Sequence, residues 1–307
     1  MPPPNPTPTT SRLSPNATGA VWMLVSAACF TVMAASLKLL AEQGYSESQM
    51  VFARCAAGFL AILPFALRAG QGAWTVARPR PLFFRCAYST LGFFAGFYAF
   101  AHMPLADAQA ITFTRVLFIV VFAAWLLKEK VAWRRWTAVG VGFVGVLLML
   151  RPEGAAFGLP ALAAVISALF FGLAIITVKD LTRDHSTMSL VLYTNAFTTV
   201  FGLPFIFFGD WFWPDATGWV LLIVLGLSGV GAQSCYVRAL STGEASLMGL
   251  IDYVRLPLAI AVGFVVFHEV PDTLGMFGAA VIIGSTLYIT WRESRIKARQ
   301  ASAEPTS

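Results

Sequence analysis

Apolar runs of about 18 residues or more follow one another along almost the whole chain, and that recurrence decides most of what it can fold into. Runs of this length mark membrane helices rather than core helices of a soluble domain. Composition agrees. Only 12% of the 307 residues are charged, about half the 25% usual in soluble proteins. The fold class is an all-α polytopic membrane protein.

Ten spans are predicted, near 18–41, 47–67, 81–102, 105–127, 132–150, 157–179, 187–208, 216–240, 244–267 and 273–291. Residues 1–17, rich in Pro and Thr, read as a disordered tail, and 292–307 as a basic tail. No apolar stretch lies close to Met1, so no cleaved signal peptide is expected. Met103-Pro104 and Ser241-Thr242-Gly243 read as tight turns, the second with a glycine suited to closing a helix. Trp133, Trp136, Trp211, Trp213 and Trp219 fall at span ends, as an aromatic belt requires.

The formal charge of +6 raises nucleic acid as a partner. The basic residues lie mostly in alternate short connections instead, among them Arg68, Arg78, Arg80, Arg85, Lys128, Lys130, Arg134 and Arg135. The other set of loops holds Arg151 and the acids Glu42, Glu47, Glu153, Asp210, Asp215 and Asp272. This alternation keeps step with ten spans and places both termini in the cytoplasm. The partner is the lipid bilayer, not nucleic acid. Cys29, Cys55, Cys86 and Cys235 are scattered singly in apolar runs and read as small buried residues, not as disulfides or a metal site.

The two halves echo each other. Tyr98-Ala-Phe-Ala-His-Met-Pro-Leu-Ala-Asp answers Tyr236-Val-Arg-Ala-Leu-Ser-Thr-Gly-Glu-Ala. Arg115 and Arg255 stand 140 residues apart, as do Glu129 and Glu269. Five spans per half is an odd number, so the second copy enters the membrane inverted. An inverted repeat with sites at the midplane is a hallmark of secondary transporters. The repeats are 18–151 and 157–291.

The residues also carry a family resemblance. A small-residue turn, a helix ending Leu126-Leu127-Lys128-Glu129, then a span bearing Gly140, Gly142 and Gly145, all repeated near the C-terminus, resembles the paired EamA domains of the drug/metabolite transporter superfamily over about 18–291. The stretch Asp252-Tyr253-Val254-Arg255-Leu256-Pro257 is similar to a bacterial subgroup linked to uptake of metabolites such as S-adenosylmethionine or riboflavin. Other members export amino acids. The resemblance implies a ten-helix basket around a central cavity, lined by helices 1–4 and 6–9, with helices 5 and 10 peripheral, in a bacterial inner membrane.

Arg115 and Arg255 are about ten residues from the ends of their spans, hence about 15 Å deep, at the bilayer centre. A charge there costs roughly 2.5–3.5 kcal/mol on insertion scales. Two uses compete: a cationic site for a carboxylate, phosphate or electron-rich ring, and a structural clamp to carbonyls or to an acid on another helix. Asp252, three residues before Arg255, shares its face and is the one carboxylate well inside a span. Asp107, Glu129, Glu244 and Glu269 are near span ends, and Glu129 and Glu269 read as braces of helix junctions. Asp252 is either the proton carrier of a coupled cycle or half of a fixed pair with Arg255 or Arg115. Pro257 withholds a hydrogen bond from the Tyr253 carbonyl, which predicts a kink and a free carbonyl beside Arg255.

Tyr98, Tyr236 and Tyr253 can stack on a planar substrate or simply pack. Arg54, about seven residues into its span, is expected to pair with Glu42, Glu47 or substrate, and Lys38 to snorkel to the outer face. Gln233 and Asn195 can bind substrate or bridge helices. Gly92, Gly96, Gly226, Gly229 and Gly231 serve either as hinges or as places of close helix approach.

No GxxxxGK[ST], HExxH or GxSxG motif is present, so neither ATP hydrolysis, a cofactor nor an intramembrane enzyme is expected. The reading is a secondary transporter of a small polar metabolite. A drug or amino-acid exporter of the same fold, and a non-transporting membrane scaffold, are the alternatives. Dimerisation through the glycine-bearing helices 5 and 10 and a monomer are both compatible with the sequence.

Overall fold

The computed structural model of the chain describes residues 15–70, 74, 76–126, 133–150, 158–181, 184–208, 211–243, 248, 251–270, 273–285 and 287–288. The expected tails up to residue 14 and from 292 onward, together with Glu129 and Glu244, lie outside the described residues. The helices in order are α1 (Pro15–Glu42), α2 (Glu47–Arg68), α3 (Pro79–His102), α4 (Leu105–Thr112), α5 (Arg115–Leu126), α6 (Trp133–Leu150), α7 (Leu159–Leu181), α8 (Thr187–Phe208), α9 (Ala216–Thr242), α10 (Arg255–Phe267) and α11 (Thr273–Ser285). Among the described residues there is no strand. Each of the ten predicted spans contains helix. The fourth is divided into α4 and α5, and the ninth is divided ahead of α10. Among the described residues five units, α1, α2, α4–α5, α7 and α9, are long and apolar enough to cross a bilayer by length and composition alone.

Local sequence accounts for the helix ends. Ser46 accepts from the Gln49 N–H and so caps α2. Asp215 caps α9 by accepting from the Gly218 N–H at 2.7 Å. α1 is described from Pro15 onward, so the residues 15–17 expected to be tail are helical. Gly243 does close α9, but at φ −111 it is extended rather than left-handed. Space there is tight, since an added Cβ would meet the flexible end of Met248, Cε, at 2.8 Å.

The packing follows the repeat. α1 lies along α9, and α3 lies along α7. These are the pairs of spans one and eight, and three and six, which a two-fold relation of the halves exchanges. α2 packs on α8 and α4 on α10, the pairs that such an axis maps onto themselves. Single hydrogen bonds obey the same relation. Ser26 donates to the Ala232 carbonyl across α1–α9 at 2.9 Å, and Ser167 donates to the Gly92 carbonyl across α3–α7 at 2.8 Å. Gly92 and Ala232 are 140 residues apart, like the two central arginines.

Small residues allow these approaches, as in membrane helix pairs generally. An added Cβ at Gly96 would lie 2.7 Å from Ser167 Oγ, and one at Gly226 would lie 2.5 Å from the Ala57 Cβ. Close packing is therefore what these glycines provide. α6 and α11 meet through glycine too, for a Gly145 Cβ would stand 2.9 Å from the Gly278 carbonyl. Gly142 and Gly145 thus face elements of their own chain, while Val141, Val144 and Leu147 of α6 point outward. Trp133, Trp136, Trp213 and Trp219 are exposed near helix ends, matching the aromatic belt.

Candidate substrate cavity

A cavity of about 260 Å³ lies among α1, α2, α3, α4–α5, α7, α8, α9 and α10. Spans five and ten supply none of its described lining, which matches the arrangement implied by the family resemblance.

Its centre is built on two matched helix breaks. The fourth span opens at Phe113-Thr114 and the ninth at Tyr253-Val254, and each time the next helix begins on the central arginine. Phe113 and Tyr253, equivalent residues of the two halves, stack on each other with ring centroids 4.5 Å apart. The pseudo-two-fold relation therefore passes between them. The breaks are tightened turns, with backbone bonds from i to i−3. Val116 N–H donates to the Phe113 carbonyl at 3.1 Å, and Leu256 N–H to the Tyr253 carbonyl at 3.0 Å.

This corrects the expectation for Pro257. The Tyr253 carbonyl is not left free, because the Leu256 N–H takes it. A break of this kind does not need proline, since Leu117 holds the equivalent position in the first half, where the same turn forms. Thr114 Oγ1 donates to the Ile111 carbonyl at 2.6 Å there. Pro257→Ala is accordingly expected to shift stability by less than about 1 kcal/mol, within the range of one net hydrogen bond. Thermal unfolding in detergent checks it, and a larger shift would make proline the source of the break.

Asp252 sits between the arginines. Arg115 Nη2 donates to Asp252 Oδ2 at 3.1 Å, and Arg255 Nε lies 2.6 Å from Asp252 Oδ1 as an ion pair. That second contact is not aligned as a hydrogen bond, and Arg255 Nε and Nη2 both lack an acceptor. Arg255 is buried, with its guanidinium 3.8 Å from the centre of the Phe30 ring and 5.6 Å from that of Tyr236. One carboxylate thus serves both central cations.

Of the candidate site residues, Arg54, Gln233, Tyr236, Arg115 and Arg255 line the cavity. Asp252 stands behind the arginines and is not part of the lining. Tyr253 is turned onto Phe113, and Tyr98 stacks on His102 at 4.3 Å, so neither lines the cavity. Arg54 has no carboxylate partner among the described residues; Glu47 lies 3.5 Å from His102 instead. Lys38 does not snorkel. It is buried, pairs with Glu269, and donates to the Met103 carbonyl at 3.1 Å. The other Glu269 oxygen accepts the Leu105 N–H at 3.0 Å, so Glu269 braces the α3–α4 junction. His268, at φ 53, turns the chain back after α10 and brings Glu269 there.

Arg85, Gln109 and Thr194 are among the lining residues that the sequence did not single out as a site. Arg85 was counted as a loop cation, yet α3 starts at Pro79 and carries it inward. It donates to the Leu190 carbonyl at 3.1 Å and to the Thr194 hydroxyl. Its position inside the predicted third span was the available signal.

A multi-span bundle of two inverted halves around a largely apolar cavity that four arginines reach is the architecture of a membrane transporter. The chain belongs to the EamA-like transporter family, whose model matches residues 17–151 and 158–291, within the drug/metabolite transporter superfamily. It is 27% identical to the S-adenosylmethionine uptake transporter of Rickettsia prowazekii, over 90% of this chain and 94% of that one. It is 29% identical to a riboflavin transporter of Vibrio cholerae, over 92% and 96%. It is 27% identical to a pseudopaline exporter of Pseudomonas aeruginosa, over 86% and 93%. A crystal structure covering 87% of this chain and 95% of its own matches with a TM-score of 0.60 at 19% identity, a likeness of fold.

Proposed function

We propose that this protein is a secondary active transporter that moves a small polar organic metabolite across a bacterial inner membrane by alternating access, with both termini in the cytoplasm. The observation that carries this reading is the cavity where the two helix breaks meet, with Arg115, Asp252 and Arg255 at the contact of the halves. Charges at that depth are retained where they serve a pathway. The names of the relatives support it, and they span uptake and export.

The two ends of the bundle differ in the way the cycle requires. At one end the α1–α2 and α8–α9 connections are clasped by buried Gln49, whose amide donates to the Phe212 carbonyl at 2.8 Å and accepts from its N–H at 3.3 Å. Lys38 and Glu269 lock the same end. At the other end Arg78 pairs with Asp184 at 2.8 Å, both partly exposed, and Tyr193 donates to the Trp74 carbonyl. In this reading, exchanging the closed clasp from one end to the other moves the cargo, and Asp252 is the counter-charge that holds Arg115 and Arg255 in place.

Proteoliposomes supplied with a uniformly ¹³C-labelled bacterial extract test the reading. One or a few labelled compounds are expected to enter above the level of empty vesicles. That entry should be lost in an Arg255→Met variant that melts like wild type. If no labelled compound enters from either direction of loading, the transport reading fails.

A further inference from the structure

The charge balance of the cavity narrows the cargo. Arg54, Arg85, Arg115 and Arg255 all reach it, and no Asp or Glu is part of its described lining. The one carboxylate touching any of these guanidiniums is Asp252, among the described residues. The site therefore carries a formal excess of three positive charges.

Arg54 is the least compensated. It is 6% exposed, stacks 4.1 Å from the centre of the Phe93 ring, and among the described residues has only the weak acceptor Cys55 Sγ at 3.6 Å from Nη1. Its Nε is shut from solvent and has no acceptor. The fold nevertheless makes room for it. A Cβ at Gly229 would lie 3.2 Å from Arg54 Nε, so α9 presents glycine where the guanidinium lies. Burying an unpaired guanidinium is strongly unfavourable, and a structural role would supply the missing acid. Arg255 repeats the pattern more mildly, with Nη2 buried and unpartnered beside a shared carboxylate.

The aromatic faces point the same way. Phe30 is covered by Arg255 and Phe93 by Arg54, so these rings hold cations rather than offering free faces to a planar cargo.

We propose that Arg54 anchors an oxyanion of the transported species, and that this species carries at least two negative groups, as di- or polycarboxylates and phosphate-bearing metabolites do. The second group is met by Arg255 and Arg115, whose charges Asp252 offsets only in part. This rests on the transport reading of the same cavity. It also separates this chain's cargo from cationic and uncharged ones.

The test uses the full chain in nanodiscs. Citrate, 2-oxoglutarate, inorganic phosphate, AMP and FMN are compared with adenosine, riboflavin, lysine and S-adenosylmethionine, by thermal shift and calorimetry. Multiply charged anions are expected to raise the melting temperature by mass action, and their uncharged or cationic counterparts to leave it unchanged. The carboxylate and phosphate arms show which oxyanion is held. Arg54→Gln should weaken the binding anion by roughly 10–100-fold, the range for a charge-assisted contact, with Arg54→Lys falling between.

A second readout needs no ligand. Arg54→Met keeps an apolar stem and removes an uncompensated charge, so the ligand-free variant should melt a few degrees above wild type. Melting below wild type would mean that the fold already balances Arg54, and would overturn the proposal. Tighter binding of an uncharged or cationic compound, or no anion binding at millimolar concentration, would overturn it as well. Flux of an uncharged compound that is indifferent to Arg54→Gln would overturn it while leaving transport standing. Binding of a dianion without flux would do the reverse.

Discussion

Asp252→Ala is expected to destabilise the protein by about 3–5 kcal/mol and to abolish transport. The carboxylate touches Arg115 at 3.1 Å and Arg255 at 2.6 Å, and both guanidiniums are largely buried. Without it, two like charges face each other at mid-depth with no acid among the described residues to replace it. The size of the effect comes from the stranded arginines, not from the net worth of the pair. A buried ion pair can often be exchanged for apolar residues of similar volume at little loss. The triple variant Arg115→Met, Asp252→Leu, Arg255→Met should therefore recover most of the stability while remaining inactive. Thermal unfolding in detergent and proteoliposome flux separate the two outcomes. A triple variant that is as unstable as Asp252→Ala would mean that the polar contacts themselves hold the helix breaks. One that still transports would remove the cluster from the site.

Glu269→Ala is the second change with a large expected effect, about 2–4 kcal/mol, because it leaves Lys38 buried without its counter-charge and strips the Leu105 N–H of its acceptor. The same residue joins the ends of α1 and α10 to the α3–α4 junction, so its loss should also loosen that end of the cavity. Faster thiol labelling of an Ala34→Cys reporter, a cavity-lining position on α1, would show this. Glu269→Gln keeps an acceptor for Leu105 and should lose less. Exchanging the charges, Lys38→Glu with Glu269→Lys, should recover part of the pair but not the Leu105 bond. Labelling unchanged in Glu269→Ala would mean that the Gln49–Phe212 clasp closes this end alone.

Much of the architecture was legible because membrane insertion is governed by a quantity that sums along the chain. Apolar runs and the alternation of basic loops located ten spans and their relative inversion. A charge in such a run is conspicuous, which is why Arg115, Arg255 and Asp252 stood out. Their face-sharing at i and i+3 was readable from helix geometry for Asp252 and Arg255, and the structure adds Arg115 to the same carboxylate.

Other features had no such signal. Tyr98 and Tyr236 stand 138 residues apart, two short of the offset that relates Gly92 to Ala232 and Phe113 to Tyr253, and Tyr236 reaches the cavity while Tyr98 stacks on His102 outside it. Pro257 marked one helix break, yet the break at Phe113-Thr114 forms without proline. Arg85, four residues inside the predicted third span, was grouped with the loop cations because closeness to a span end does not tell whether a side chain turns to the membrane surface or into the bundle.

The sequence by itself determined the solvent, the number of spans, the repeat and the depth of its charges, because each depends on a residue's own transfer free energy and its spacing. Only the tertiary structure decided that Asp252 answers two arginines, that Lys38 turns from the surface to Glu269, and that Arg54 faces the cavity without an acid. Those outcomes depend on which faces of helices far apart in the chain come within a few ångströms, and helix packing sets that through close fits such as Gly229 against Arg54.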